Sequence, residues 1–265
     1  MNCRLRWKVH APCTREATKP AVFSTPVLDA RRRMLYSADL AGTLCCWQLC
    51  KDGSAPLDAP PTLVWKTNVG TPLFSTPTLS ESDGGGIFVG CTNKDLCCIN
   101  TKTGEIRWTL KTEGPIFSSP MFIEGGDENA VDVVVVGSHD GYVYCADARS
   151  GSLLWKQRLG SSAVYASPAA ASISVAAGPP SLGGPSEQIR DRTAAVVACN
   201  TAGELCAFAQ HTGRLLARTT LHGEVFSSPV CCPALGTRHC GKGNGVVKVL
   251  VGCRDDYIHC LNWLH

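Results

Sequence analysis

The stretch Phe117-Ser118-Ser119-Pro120 is one of five copies of a short motif that decides the fold of this chain. Each copy has an aromatic residue, a small residue, Ser or Thr, and then Pro. The other copies are Phe23-Ser24-Thr25-Pro26, Phe74-Ser75-Thr76-Pro77, Tyr165-Ala166-Ser167-Pro168 and Phe226-Ser227-Ser228-Pro229. Successive prolines are 51, 43, 48 and 61 residues apart. Periods of this length are typical of repeated small β-sheets and exceed most helical repeats.

The residues after each motif follow the same order in every copy. In the third copy, an apolar run at 133–136 precedes the turn 139–141, and an alternating run at 143–146 precedes the turn 150–151. These runs are short, rich in β-branched and aromatic residues, and bounded by Gly, Asp, Asn or Pro. Because this is the pattern of β-strands, each motif with its following runs predicts three strands.

A fourth, outer strand is predicted for most units. The outer segments contain Trp65, Trp108, Trp155 and, in the fourth unit, Ala217. A further segment around Trp7 precedes the first unit, and we expect it to pair with the last unit, which lacks an outer segment of its own. The expected total is therefore 20 strands in five four-stranded sheets.

These observations predict an all-β fold, a β-propeller of about five four-stranded antiparallel blades that forms a closed ring or a partial arc of a larger propeller. Stacked blades need bulky apolar residues between their faces, and the repeated Trp, Phe and Val residues supply them. The small Ser and Thr positions would let the innermost strands approach the axis. We expect each repeated Pro to end the pairing of that strand without leaving an unmet donor.

The repeats predict one domain over residues 1–265, with units near 21–66, 72–109, 115–156, 163–218 and 224–265. Insertions interrupt the period at 10–20, 50–63, 172–194 and 233–246. The third insertion is rich in Gly and Pro, so we expect a surface loop over 172–194.

Composition excludes several classes of function. The net charge of the 265 residues is only +3, which is too small to indicate a nucleic-acid partner or an anionic membrane. The first 13 residues have no apolar core of the signal-peptide type, and no stretch is long and apolar enough to span a membrane. We therefore expect a cytoplasmic protein whose 16 cysteines are reduced.

The motifs resemble those of the PQQ-like, or quinoprotein-type, β-propeller superfamily. The units Thr-Gly-Glu-Ile-Arg-Trp at 103–108 and Ser-Gly-Ser-Leu-Leu-Trp at 150–155 match its repeat. The longer stretches 114–120, 137–140, 223–229 and 252–261 are similar to the C-terminal propeller of the β-alanine-activating enzymes, members of the acyl-CoA synthetase family. The similarity covers nearly the whole chain outside the insertions.

This resemblance implies a longer parent protein with an adenylation domain, a carrier domain and the propeller. The parent would be an ATP-dependent acid-thiol ligase that activates β-alanine and passes it to a phosphopantetheine carrier. The family's propeller has more than five repeats, so the resemblance also implies that this chain is a fragment. We expect no ATP or phosphopantetheine site within these residues.

Paired cysteines at 45–46 and 97–98 recur at one strand position, and a third pair lies at 231–232. Some quinone-dependent dehydrogenases place a disulfide between adjacent cysteines over the quinone. A residue that recurs at one register is more simply a small, packed apolar group, so we interpret these cysteines as core residues.

Four residues of metal-ligating type fall within residues 231–240: Cys231, Cys232, His239 and Cys240. Zinc sites usually contain cysteines separated by two to four residues. Adjacent Cys-Cys and His-Cys pairs do not fit this spacing, and we assign no metal ligands. No unit offers the six to eight oxygen ligands of a quinoprotein calcium site, so PQQ is not expected as a cofactor.

Two equivalent turns carry the candidate site residues, His139 with Asp140 and Arg254 with Asp255. They are candidates for polar groups at one mouth of the propeller channel, although Asp is also common in turns for its hydrogen bonds to backbone. The repeated Ser and Thr hydroxyls are interpreted as structural, since a nucleophile needs a unique base beside it. No catalytic residues are assigned.

The preferred hypothesis is a non-catalytic propeller segment of a β-alanine-activating enzyme, acting as a docking platform for protein partners or other domains of the same chain. Two alternatives remain open at this stage. One is a fragment of a PQQ-dependent dehydrogenase. The other is a stand-alone propeller scaffold for protein partners.

Overall fold

The computed structural model describes residues 5, 7–9, 21–49, 59–80, 85–125, 130–175, 191–232 and 247–263. No helix in these ranges has the length and apolar character needed to cross a membrane. Their strands are β1 (Val27–Asp29), β2 (Met34–Ala38), β3 (Thr43–Gln48), β4 (Thr62–Asn68), β5 (Thr78–Leu79), β6 (Gly86–Gly90), β7 (Asp95–Asn100), β8 (Ile106–Lys111), β9 (Met121–Ile123), β10 (Val133–Gly137), β11 (Tyr142–Asp147), β12 (Leu153–Arg158), β13 (Ala169–Val175), β14 (Asp191–Cys199), β15 (Glu204–Ala209), β16 (Leu215–Thr220), β17 (Val230–Cys232), β18 (Val247–Gly252) and β19 (Ile258–Trp263).

The strands form five antiparallel sheets in chain order. Sheet 1 contains β1–β4, sheet 2 contains β5–β8, sheet 3 contains β9–β12 and sheet 4 contains β13–β16, whereas sheet 5 has the three described strands β17–β19. The first strand of each sheet contacts the first strand of the next sheet, in the order β1, β5, β9, β13 and β17. The predicted series of small antiparallel sheets is therefore confirmed, and closure into a ring stays a prediction.

Four apolar cores lie between consecutive sheets. The core between sheets 2 and 3 contains Phe88, Cys98 and Val134, none of which is exposed to solvent. Because successive side chains of a strand point to opposite faces, each sheet contributes to the core on either side of it. The recurring cysteines Cys46, Cys98 and Cys145 each lie in the core that faces the next sheet. They are small apolar fillers in the described structure, and none forms a disulfide.

A tryptophan of the outer strand joins each of sheets 1, 2 and 3 to the sheet that follows. Trp108 in β8 donates its indole N–H to the carbonyl oxygen of Ala148, at 3.2 Å. Its ring also covers Gly151, whose φ is +75° and where a Cβ would lie 2.5 Å from Trp108 Cδ2. The same contacts recur for Trp65 with Thr101 and Gly104, and for Trp155 with Gln210 and Gly213. The glycine of each turn therefore accommodates the tryptophan of the preceding repeat.

Two expectations about the motifs and the N-terminal segment are wrong. Each inner strand begins directly after the repeated Pro, as β9 does after Pro120, instead of ending at it. Pro lacks an N–H, so it lies ahead of the ladder and the pairing starts with the next residue. The expected strand at Trp7 is absent from the described residues 7–9. Among the described strands, β19 pairs only with β18. Sheet 5 is consequently three-stranded in the described part of the chain.

The predicted surface loop at 172–194 is too long at both ends. Residues 172–175 continue β13 and residues 191–194 belong to β14, with Val175 opposite Asp191. Ile173 and Val175 are β-branched residues, which favour strands, and this explains why the hairpin continues here. Residues 176–190 and the insertion at 233–246, which includes His239 and Cys240, lie outside the described residues.

We expect Gly151→Ala to destabilise the protein by roughly 2–4 kcal/mol, because it combines left-handed backbone strain with overlap on Trp108. The matched control is Gly70→Ala, since Gly70 has φ +79° but a Cβ added there would meet no atom within 4 Å. The free energy of unfolding of the control should fall by only about 1–2 kcal/mol, because the control adds backbone strain without a clash. Urea unfolding of the two variants measures the difference, and equal losses would contradict the proposed tryptophan contact.

We also expect the core cysteines to resist alkylation. Burial raises the pKa of Cys98 and of Cys145 to about 12. At pH 8 only about one in 10⁴ of such thiols is ionised, and the reagent has no access to them. Brief N-ethylmaleimide treatment followed by peptide mass spectrometry should label the exposed Cys260 and leave Cys98 and Cys145 unlabelled until denaturant is added. Equal labelling of all three in native protein would refute this assignment.

Candidate interaction site at the motif edge

The second hydroxyl of the motif, on the Ser or Thr directly before Pro, links one sheet to the next. The backbone N–H of Thr76 donates to Ser119 Oγ, and the N–H of Ser119 donates to Ser167 Oγ, both at 2.9 Å. The same bond joins Thr25 to Thr76 at 3.3 Å and Ser167 to Ser228 at 3.0 Å. A continuous series of four hydrogen bonds therefore runs along the five motifs, which places all of them on one edge of the sheets.

The first hydroxyl of the motif, on the Ser directly after the aromatic residue, forms hydrogen bonds with backbone groups of its own sheet. Ser118 Oγ donates to the carbonyl oxygen of Gly137 at 2.7 Å and accepts the N–H of the same residue at 2.9 Å. Equivalent bonds join Ser75 to Gly90 and Ser227 to Gly252. The fourth motif has Ala166 at this position. Since these hydroxyls are held by backbone groups, their geometry supports the structural interpretation made from their repetition.

The motif aromatics form a continuous series along the same edge. The ring centroids of Phe74 and Phe117 are 5.2 Å apart, and those of Phe117 and Tyr165 are 5.6 Å apart. The series continues to Phe23 at one end, 5.5 Å from Phe74, and to Phe226 at the other, 5.8 Å from Tyr165. We call these five rings the aromatic ladder. Contacts at this spacing contribute stability beyond their buried area, so the ladder ties neighbouring motifs together.

Two of the four candidate residues lie directly on the aromatic ladder. His139 packs against Phe117 with a centroid distance of 4.4 Å and lies 5.8 Å from Tyr165. Burial lowers the pKa of His139, although Asp140 beside it acts in the opposite direction. Arg254 lies over the ring of Phe226 at 5.3 Å. The turns of sheets 3 and 5 thus place an imidazole and a guanidinium at equivalent points of the motif edge.

The two candidate carboxylates hold their turns in shape. Asp140 accepts hydrogen bonds from the N–H of Tyr142, the hydroxyl of Tyr144 and the N–H of Glu113. Asp255 accepts the N–H of Tyr257 at 3.2 Å and pairs with His259 Nε2 at 2.8 Å. The structure gives no contact between the pair in sheet 3 and the pair in sheet 5 among the described residues. The four residues therefore share an edge but do not form one site.

Partial desolvation acts to raise the pKa of Asp255, but its hydrogen bonds act more strongly in the opposite direction. The donors are His259, the Cys253 thiol and the backbone N–H of Tyr257, and the pKa of Asp255 lies below its ordinary value. This carboxyl group is therefore ionised at neutral pH.

Three charged residues that the sequence did not single out, Lys156, Glu113 and Glu224, also form ion pairs near this edge. Lys156 in β12 binds Glu113 at 2.6 Å and lies over the ring of Tyr142 at 4.9 Å. Arg254 binds Glu224 at 2.7 Å. Each pair joins the turn side of a sheet to the segment that precedes its motif. Exposed pairs of this kind contribute little stability, so their main effect is to orient side chains. Only long-range contacts distinguish Lys156, Glu113 and Glu224 from other surface charges, and no sequence signal does so.

The outward face of sheet 5 has no described neighbour. Ile258 is 81% exposed, whereas Leu96 and Val143, at the same register in sheets 2 and 3, are completely buried. Val230 is 56% exposed and Cys260 is also exposed on this face. We call Val230, Ile258 and Cys260 the sheet-5 surface. In sheets 1 to 4 the corresponding face packs against the next sheet.

We expect Ser119→Ala to destabilise the protein by about 1–3 kcal/mol, because the N–H of Thr76 would lose its acceptor in a partly buried position. Ser119→Thr is the control, since Thr occupies this position in the first two motifs and keeps the hydroxyl. Chemical denaturation should show most of the loss recovered in the Thr variant. An unchanged stability of Ser119→Ala would mean that the series of hydrogen bonds does not hold the sheets together.

Solved structures share this arrangement of sheets. BamB from Moraxella catarrhalis aligns with a TM-score of 0.57 and 15% identity, covering 92% of this chain and 74% of that one. The WD40 β-propeller domain of Doa1 aligns with a TM-score of 0.54 and 13% identity, covering 88% of this chain and 61% of that one. At this level of identity the similarity shows a β-propeller-type fold alone.

Sequence relatives identify the family. The beta-alanine-activating enzyme of Danio rerio is 32% identical over 213 residues, which are 74% of this chain and 16% of that protein. The Drosophila melanogaster enzyme is 38% identical over 98 residues, 36% of this chain and 9% of that protein. The matched segments thus span between 9% and 16% of these relatives. The family described as the beta-propeller of the beta-alanine-activating enzyme matches residues 3–263, and the chain belongs to this family.

Proposed function

We propose that this chain is the propeller module of a β-alanine-activating enzyme and that it serves as a rigid docking platform for other domains of the same longer protein. The observation that carries the proposal is the sheet-5 surface, where Ile258 is 81% exposed at a register that the next sheet buries completely in sheets 1, 2 and 3. The small matched fraction of the relatives supports a partner within the same protein.

The chemistry of the partner surface follows from the interfaces between the described sheets. Leu96 and Cys98 in sheet 2 pack against Val134 and Val136 of the next sheet. The sheet-5 surface presents residues of the same kind, so it requires an apolar β-sheet or a similarly flat apolar face. Phe226 and Arg254 lie at the adjoining motif edge and add an aromatic ring and a charge that orient the partner.

The contacts of the motif hydroxyls and of the core cysteines support a non-catalytic module in this proposal. The motif hydroxyls bind backbone groups, and the pKa of Cys98, Cys145 and Cys199 is raised to about 12 by burial. These thiols are poor nucleophiles at neutral pH. The adenylation of β-alanine with ATP and its transfer to a phosphopantetheine carrier therefore belong, in this proposal, to other domains.

The quinone-dependent dehydrogenase alternative receives less support. A calcium ion at a quinone needs six to eight oxygen ligands. The carboxylates of Asp140 and Asp255 lie in turns of different sheets, 3 and 5, and no described contact joins these turns, so the two do not contribute oxygens to one calcium site. No separate observation favours a stand-alone scaffold over a module of a longer protein.

The test is capture of the adenylation and carrier domains of a β-alanine-activating enzyme by this chain. We expect Ile258→Asp to weaken capture at least about tenfold, because it places a charge in an apolar interface. Ile106→Asp is the matched control, since Ile106 is an exposed isoleucine on the outer strand of sheet 2. Surface plasmon resonance gives the affinities, and circular dichroism checks that both variants fold.

The same preparations separate docking from catalysis. The isolated chain should support no ATP–pyrophosphate exchange with β-alanine, whereas the captured domains should support it whether or not the chain is bound. Exchange by the isolated chain, or equal capture by the Ile258→Asp and wild-type chains, would overturn the proposed docking function.

A further inference from the structure

Three metal-ligating side chains of different type converge in the turn between β18 and β19. The Cys253 thiol, the Asp255 carboxylate and the His259 ring each offer one ligand atom, and these atoms lie within 4.8 Å of one another. His259 Nε2 is 2.8 Å from Asp255 Oδ2. All three residues are partly buried, so the ligand atoms are sheltered and still reachable from solvent.

The backbone of the turn orients these side chains. The N–H of Cys253 donates to the carbonyl oxygen of Tyr257 at 3.0 Å, and the N–H of Tyr257 donates to Asp255 Oδ1 at 3.2 Å. Asp256 has φ +68° and closes the turn in the left-handed region. One carboxylate oxygen is thereby held by the backbone while the other faces His259. Outer hydrogen bonds of this kind orient metal ligands.

The turn does not need this trio in order to form. The three equivalent positions are occupied by Asp39, Ala41 and Cys45 in sheet 1, by Cys91, Asn93 and Cys97 in sheet 2, by Ser138, Asp140 and Tyr144 in sheet 3, and by Asn200, Ala202 and Cys206 in sheet 4. Each of these turns joins the second and third strands of its sheet in the same way. Within the described ranges, sheet 5 alone combines sulfur, nitrogen and carboxylate ligands at one such turn.

The donor set selects the type of cation. One thiolate and one imidazole favour a borderline or soft ion, whereas Ca²⁺ and Mg²⁺ prefer oxygen ligands alone. We propose that Cys253, Asp255 and His259 bind Zn²⁺ or a similar divalent transition-metal ion, with a fourth coordination position open to water or to a partner's side chain. On binding, the Cys253 thiol transfers its proton to solvent and the thiolate joins the neutral imidazole and the carboxylate as ligands.

The sequence alone did not reveal this site, because its ligands do not have the spacing of common zinc motifs. Cys253 and Asp255 are two residues apart, and His259 follows four residues later. Only the folded turn of sheet 5 brings the thiol and the carboxylate to the same side. His259 then reaches them from the second residue of β19.

Cobalt titration tests the proposal with a spectroscopic signal. Co²⁺ is added to the reduced chain in a background with Cys3, Cys13, Cys50 and Cys240 replaced by Ser, which removes the thiols that lie outside the described residues. We expect one equivalent of Co²⁺ to produce thiolate-to-cobalt charge-transfer absorption in the near ultraviolet, and Zn²⁺ to displace it. Zn²⁺ should also raise the melting temperature, because it binds the folded state.

Variants decide which residues bind the ion. Cys253→Ser should abolish the charge-transfer absorption, and His259→Gln should weaken binding by at least about tenfold, the loss seen even for outer partners of metal ligands. Cys260→Ser is the matched control, since Cys260 is an exposed thiol on the same strand as His259. This variant should bind Co²⁺ as the background chain does.

Several outcomes would overturn the proposal. These are the absence of charge-transfer absorption in the background chain, its survival in Cys253→Ser, and its loss in Cys260→Ser. Circular dichroism checks the fold of each variant, and should Cys253→Ser fail to fold, His259→Gln and Asp255→Asn carry the test. The result is independent of docking by the sheet-5 surface, which Ile258→Asp measures separately.

Discussion

The packing of each sheet against the next is the interaction on which the rest of this structure depends. Strand β10, with the sequence Val-Val-Val-Val-Gly, is buried along its whole length because sheets 2 and 4 cover both of its faces. A sheet of three or four short strands cannot bury two apolar faces by itself. The stability of the protein is therefore shared between neighbours, as in other repeat proteins.

This dependence explains where the recurring elements of each repeat make their contacts. The tryptophan of an outer strand covers the glycine of the following sheet, and the second motif hydroxyl accepts an N–H from the preceding one. The hydroxyl contacts join the motifs of all four pairs of neighbouring sheets, and the tryptophan contacts join the outer strands of the first three pairs to the next sheet. The aromatic ladder and the paired charges lie along the edge that the hydroxyl contacts hold together.

Much of the fold could be predicted from the sequence because strand patterns and turn residues are local. The five motifs, the runs such as 133–136 and the outer strands with Trp65, Trp108 and Trp155 appear where the periodicity placed them. The side of Pro120 on which pairing begins could not be predicted, since an extended residue has the same local pattern in or out of a ladder. The site was less predictable: the acceptor for the N–H of Ser119 is Ser167, 48 residues away, and the metal-ligating trio does not match a known spacing.

The sequence by itself determined the all-β class, the number of repeats and the residue types available at each edge, because these depend on local periodicity and composition. Only the tertiary structure decided which sheet covers which, that Gly151 contacts Trp108 of another repeat, and that Ile258 is exposed on the fifth sheet among the described residues. Contacts between repeats depend on how the sheets stack in space. Local patterns along the sequence do not reveal the distance or the orientation between two sheets.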